Sequence, residues 1–89
     1  MNWIEDVERK FLYSFGQHVT KQVNENCICI YNSHSLLKVI EVDGSYEVRI
    51  EKQIKDKGRV YKDFTECNVK ELTSSIATNW ELGNGWNCM

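Results

Sequence analysis

"LLKVIEVDGSYEVRIEKQI", residues 36–54, is the stretch whose reading decides the fold. Tyr46, Val48 and Ile50 alternate with Glu47, Arg49 and Glu51, the period of a strand that buries one face. Asp43-Gly44 interrupts the pattern as a two-residue hairpin turn, with glycine supplying a positive φ. That turn sets Val39 opposite Val48 and Leu37 opposite Ile50.

Two further turns extend the pairing outward. "NSHS", residues 32–35, reads as a four-residue loop that sets Ile30 opposite Leu37 and Ile28 opposite Val39, from the strand "CICIY" at 27–31. "DKG", residues 56–58, reads as a three-residue turn with glycine at the bulge position. It leads into "RVYKDF" and sets Ile54 opposite Val60 and Ile50 opposite Phe64. The registers, read one at a time, agree: Ile28, Ile30, Leu37, Val39, Tyr46, Val48, Ile50, Ile54, Val60 and Phe64 share one face. Lys52 and Lys62 interrupt it toward one end. A one-residue slip would turn a whole apolar set to the wrong side, so the agreement predicts a four-stranded antiparallel meander.

A helix flanks the meander on each side. "NWIEDVERKFLYSFG" places Trp3, Ile4, Val7, Phe11, Leu12 and Phe15 on one side at 3.6 residues per turn. Asn2 and Glu5 form a capping-box pattern, Gly16 supplies the stop, and Glu8 falls at the rim of the apolar arc, reaching solvent. "CNVKELTSSIATNWELG" is capped by Asn68 with Glu71, stapled by Cys67 on Leu72, and striped by Val69, Leu72, Ile76 and Trp80 with Ala77 beside them. Gly83 is its expected stop. "QHVTKQVNEN", residues 17–26, reads as a loop with some extended structure. The class is α+β in a single domain, residues 1–89: helix, four-stranded meander, helix, short aromatic tail.

Composition narrows the function. With 89 residues, the chain buries only about 60–65% of its unfolded surface and has little volume for a deep enzyme pocket. Eleven basic and thirteen acidic residues give a net charge of −2, which offers no global attraction to nucleic acid or anionic membrane. No apolar run is long enough to span a bilayer. The opening "MNWIEDVERK" is charged where a signal peptide would be apolar, so the expected location is cytoplasmic. There the four cysteines, Cys27, Cys29, Cys67 and Cys88, are expected as free thiols.

Motifs for chemistry are absent. Cys27 and Cys29 share a strand face, but C-x-C on a flat strand lacks the turn that wraps two thiolates around zinc. If a metal is held, that pair holds it; the expectation is no metal and no cofactor. His34 has no orienting partner for nucleophilic catalysis. Glu47 and Glu51, about 13–14 Å apart along their strand, are too far apart for paired glycosidase carboxylates. The chain is therefore expected not to be an enzyme. The hairpin 52–62 concentrates Lys52, Lys55, Lys57, Arg59 and Lys62 around Tyr61, a pattern open to stacking and phosphate contact. Asp56 and Asp63 dilute its field, which argues against nucleic acid as the partner.

The second face of the meander says more. Cys27, Cys29, Tyr31, Leu36, Ile40, Val42 and Tyr61 fall there beside Lys38, Glu47, Arg49 and Glu51. A solvated face would be mostly polar; aromatic and aliphatic groups rimmed by charge compose a protein-binding surface. The candidate partner-binding residues are Tyr31, Ile40, Arg49 and Tyr61, with Trp86 of "LGNGWNCM" nearby. Two competing readings cover that face with the first helix or with a tail that turns at Asn84-Gly85 and folds Trp86 back.

In size, acidity, lack of proline and absence of chemistry, the chain resembles the small immunity proteins of bacterial toxin systems, and also phage-encoded inhibitors such as anti-CRISPR proteins. The resemblance is architectural and carries no residue roles. It implies a non-enzymatic inhibitor that occludes a protein partner, a toxin or effector nuclease, stoichiometrically. A small nucleic-acid-binding regulator using hairpin 52–62 and a homodimeric prophage protein are the alternatives.

Overall fold

A computed structural model describes residues 2–16, 18–81 and 85–89. The Asp43-Gly44 turn forms as read, with φ of 51° and 82° at its two residues, the positive pair that the hairpin requires. It joins β3 (Ser35–Val42) to β4 (Ser45–Ile54) with Val39 opposite Val48 and Leu37 opposite Ile50. β2 (Cys27–Tyr31) pairs with β3 with Ile30 opposite Leu37 and Ile28 opposite Val39. Asn32 holds that connection. Its Oδ1 accepts from the backbone N–H groups of His34 and Ser35, both at 2.8 Å, and its Nδ2 donates to the Phe15 carbonyl at 2.8 Å.

β5 (Gly58–Glu66) departs from the expected register by two residues. Ile54 faces Gly58 and not Val60, and Ile50 faces Lys62 and not Phe64, which lies opposite Val48. The turn closes one residue earlier, with the Lys57 N–H donating to the Ile54 carbonyl at 3.3 Å and Gly58, at φ 77°, opening the next strand. An even slip leaves every side chain on its expected face and changes only its neighbours across the strands.

Two strands exceed the expected four. In the stretch read mainly as a loop, Thr20–Asn24 is β1, antiparallel to β2. All five of its residues are exposed, so it lacks the apolar alternation that marks a strand in sequence. At the far side Asn87–Cys88 forms β6, with Cys88 opposite Val60 and Asn87 opposite Tyr61. The sheet is antiparallel in the order β1-β2-β3-β4-β5-β6.

The helices cover the apolar face. α1 (Trp3–Phe11) is capped by Asn2, whose side chain accepts from the Ile4 N–H at 3.0 Å, and runs into a 3-10 turn at Leu12–Phe15 before Gly16. α2 (Val69–Trp80) is capped by Asn68, which accepts from the Lys70 N–H at 2.7 Å. Trp3, Ile4, Val7, Phe11, Phe15, Leu72 and Ile76 close one cluster with Ile28, Ile30, Leu37, Val39, Tyr46, Val48 and Ile50. Trp80 joins the two helices: its ring is stacked with Phe11 at 6.1 Å and meets Phe15 edge-on at 5.4 Å. The α2 stripe is narrower than expected, because Val69 and Ala77 are exposed. Cys67, expected as a staple, is also exposed and accepts a hydrogen bond from Ser45 Oγ at 3.9 Å. Glu8 is not free at its rim; it pairs with Lys21 at 3.0 Å. The expected stop at Gly83 and the turn residue Asn84 lie outside the described residues. No helix among the described residues is long and apolar enough to cross a membrane.

Candidate functional site

Pairing across the strands orders the outer face into rows. One row runs Thr20, Tyr31, Leu36, Glu51, Tyr61, Asn87; the next runs Gln22, Cys29, Lys38, Arg49, Asp63; a third runs Asn24, Cys27, Ile40, Glu47, Thr65. A cavity of about 830 Å³ opens on this face, lined among others by Cys27, Cys29, Leu36, Ile40, Arg49 and Asp63.

The rows divide the face into two halves. On β2 and β3, Cys27, Cys29, Tyr31, Leu36 and Ile40 are half-buried and mostly apolar. On β4 and β5, charges lock together. Arg49 donates two hydrogen bonds to Asp63, Nε to Oδ1 and Nη2 to Oδ2, both at 2.8 Å. Its other side approaches Glu51 at 3.9 Å, and Glu51 accepts from Arg59 Nε at 3.0 Å. The Arg49 guanidinium also lies 4.4 Å from the centroid of the Tyr61 ring. The hydrogen bonds from Arg49 hold the Asp63 carboxyl below its ordinary range, and the same bonds keep Arg49 firmly protonated. Burial, with Cys27 beside it, pushes the Cys29 thiol up against the opposing pull of Lys38. That shift works against the thiolate form, the form that acts as a nucleophile.

Tyr31, Ile40, Arg49 and Tyr61 share this face as read from the sequence. Tyr31 and Tyr61 occupy one end row, separated by β3 and β4, about 14 Å across the sheet. Gln22 Nε2 donates to the Tyr31 hydroxyl at 3.4 Å. Trp86 is not with them. It packs against the cluster of the core face, and Lys52 lies between it and Trp80, with Nζ 6.0 Å and 4.6 Å from the respective ring centroids. Lys52 Nζ also donates to the Trp80 carbonyl at the C-terminal end of α2. Lys52 thus interrupts the apolar face because it caps a helix end beneath two indoles. Burial lowers its pKa, and the Glu81 charge opposes that shift.

The basic hairpin is dispersed by the same geometry. Lys52 turns into the core face, Arg59 is bound to Glu51, and Lys55 and Lys57 are the exposed cations at its tip. The two readings in which α1 or the tail covers the outer face are not realised among the described residues, since α1, α2 and Trp86 all pack on the other side. Among those residues no group of three or more His, Cys, Asp or Glu side chains is placed to hold a metal.

Sequence reasoning missed Asp63 and the contribution of β1. The expected register set Arg49 opposite Thr65, so its bidentate partner stood one step away from legibility. Gln22, Val23 and Asn24 reach the rim of the cavity from a strand that the sequence barely announces. Comparison with protein-family models, with curated proteins and with solved structures finds no match to this chain.

Proposed function

We propose that this chain is a non-enzymatic, protein-binding inhibitor of the immunity type, which neutralises a toxin or nuclease by lying stoichiometrically over its working surface. The observation that carries the reading is the outer face, which no helix among the described residues covers. Both helices and Trp86 pack on one side of the sheet, while the other side keeps Cys27, Cys29, Tyr31, Leu36 and Ile40 half-buried beside a fixed network of Arg49, Asp63, Glu51 and Arg59. Those charges are already held in place, so docking costs little further side-chain entropy. Tyrosine and arginine are the side chains that most often carry interface energy, and about 800 Å² on this side suffices for a stable complex. A phage-encoded inhibitor would use the same occlusion, and the neighbouring genes tell the two apart.

The test is affinity capture from the organism that makes the protein, followed by titration of the captured partner. Tyr31→Ala or Tyr61→Ala is expected to weaken a one-to-one complex by about 2 kcal/mol, roughly thirtyfold, with little change in Tm. Lys55→Ala with Lys57→Ala is expected to leave it intact. If the two lysines abolish binding and the tyrosines do not, the outer face is the wrong surface. Salt-sensitive capture of nucleic acid would then replace the inhibitor reading.

A further inference from the structure

The sheet has two edges, and the chain treats them differently. At one edge β6 pairs with β5 at Val60 and Tyr61, and the Met89 N–H donates to the Arg59 carbonyl at 3.0 Å. At the other, β1 has β2 on one side and no strand on the other among the described residues. Which backbone groups β1 leaves open follows from the ladder beside it. The Asn32 N–H donates to the Ser35 carbonyl at 3.0 Å, and the Glu41 N–H to the Asn26 carbonyl at 2.8 Å. The even residues of β2 therefore direct their backbone groups at β3, and Cys27, Cys29 and Tyr31 direct theirs at β1. Their partners Asn24, Gln22 and Thr20 are satisfied there. The N–H and C=O groups of Lys21 and Val23 point away from the sheet.

We infer that the β1 edge pairs antiparallel with the same edge of a second copy of this chain, about a two-fold axis at Gln22. The open groups set this register: Lys21 of one copy and Val23 of the other exchange both backbone hydrogen bonds, as a hydrogen-bonded antiparallel pair does. The side chains fit it. On the outer face Gln22 meets Gln22 of the second copy, and Thr20 meets Asn24, each a pairing of donor with acceptor. On the core face the apolar row Phe64, Val48, Val39, Ile28 ends at Val23, which is 49% exposed although its row-mates lie under the helices. The second copy's Lys21 would lie beside it. A lysine in an edge strand ordinarily blocks pairing, but Lys21 is held by Glu8 at 3.0 Å, so its charge is cancelled and its stem is free to cover Val23. Glu8 also lines a groove with Glu5, Arg9, Leu12 and Tyr13, where Tyr13 is 87% exposed. A second α1 would approach that groove. The chain has no proline, and β1 pairs residue for residue with β2, so neither of those usual protections of an edge is in place.

Sedimentation equilibrium and amide hydrogen exchange on the full chain test this. A dilution from about 1 mM to about 10 μM brackets the affinity expected of so small an interface. Wild type should pass from dimer to monomer. The Lys21 and Val23 amides should be protected only at the high concentration, while the Gln22 and Asn24 amides stay protected at both. Val23→Pro removes an N–H that β2 does not use and should stay monomeric with Gln22 and Asn24 still protected. Should that variant lose their protection, β1 itself has been disturbed, and the wild-type pattern at Lys21 and Val23 decides alone. Equal exchange of those two amides at every concentration overturns the proposal, as does a dimer in which they exchange freely. Protection that arises only when a different protein is added to a monomeric chain overturns it too, in favour of strand addition by that partner. The outer-face tyrosines take no part, so failure here leaves the inhibitor reading standing.

Discussion

Alternate residues of the same strands build both faces of the sheet, and what covers each face separates their roles. Ile28, Ile30, Leu37, Val39 and Ile50 are fully buried on one side beneath α1 and α2. Their chain neighbours Cys29, Leu36, Ile40 and Arg49 are only half-buried on the other. The first face gains its free energy from desolvated apolar area, at about 25 cal/mol per Å². The second gives up part of that gain by leaving apolar groups at the solvent boundary. Its Arg49–Asp63 pair is exposed enough to be worth little on its own. The proposed function assigns recognition to this second face.

Breaking the covered face should have the largest effect. Val48 is 3% exposed with Phe64 opposite, and Val48→Asp would bury an unpaired charge. The expected outcome is loss of the cooperative thermal transition, since the cost rivals the total stability of about 5–15 kcal/mol. Glu47→Ala, one residue along and facing out, should move stability by less than about 0.5 kcal/mol. A circular dichroism melt of the pair checks both. A silent Val48→Asp with a damaging Glu47→Ala would mean that the faces are assigned backwards.

A middle-sized effect is expected at Trp86, the residue that changes sides between the sequence reading and the structure. Trp86→Ala removes a half-buried ring from the core face and should cost about 1–3 kcal/mol, read from urea unfolding followed by circular dichroism. Its indole Nε1 is buried without a hydrogen-bond partner among the described residues, and such a donor costs about 1–3 kcal/mol in lost hydration. Trp86→Phe, which keeps a ring and deletes that donor, should therefore be much milder than Trp86→Ala. Neither change should affect binding through the outer face. If Trp86→Ala abolishes association at unchanged stability, Trp86 belongs to the recognition surface after all.

How much was legible follows the same division. β2, β3 and β4 could be read because their apolar residues alternate against a core, and because Asp43-Gly44 admits one tight hairpin. β1 could not, because Thr20, Lys21, Gln22, Val23 and Asn24 are all exposed and carry no period; β2 holds them by backbone bonds, which any sequence can make. β6 is two residues long, too short for a pattern. The β4–β5 slip escaped because Lys55, Asp56, Lys57 and Gly58 suit a turn in either frame, and an even shift leaves the hydrophobic pattern unchanged. That slip hid the most ordered part of the candidate site, the bidentate pair of Arg49 with Asp63. The apolar half, Tyr31 and Ile40, was visible because it breaks the polar pattern of an outer face.

The smallest expected effect sharpens the comparison through pH. Arg49 lowers the Asp63 pKa in the folded protein, while the unfolded chain returns it to about 3.9. Between those two values the unfolded state binds more protons, so acid favours unfolding. The stabilising contribution of Asp63 is therefore fully present above about pH 4 and is lost as pH falls through its lowered folded value. Asp63 is half exposed and screened by solvent, so the contribution is modest. Asp63→Asn should flatten the acid limb of the Tm-versus-pH curve slightly and leave Tm at neutral pH within a few degrees of wild type. Added salt should shrink the difference between the two curves, as it does for any exposed pair. Parallel acid limbs for wild type and Asp63→Asn would show that Arg49 does not hold Asp63 in solution. The charged half of the outer face would then be free to rearrange around a partner and would not be fixed in advance.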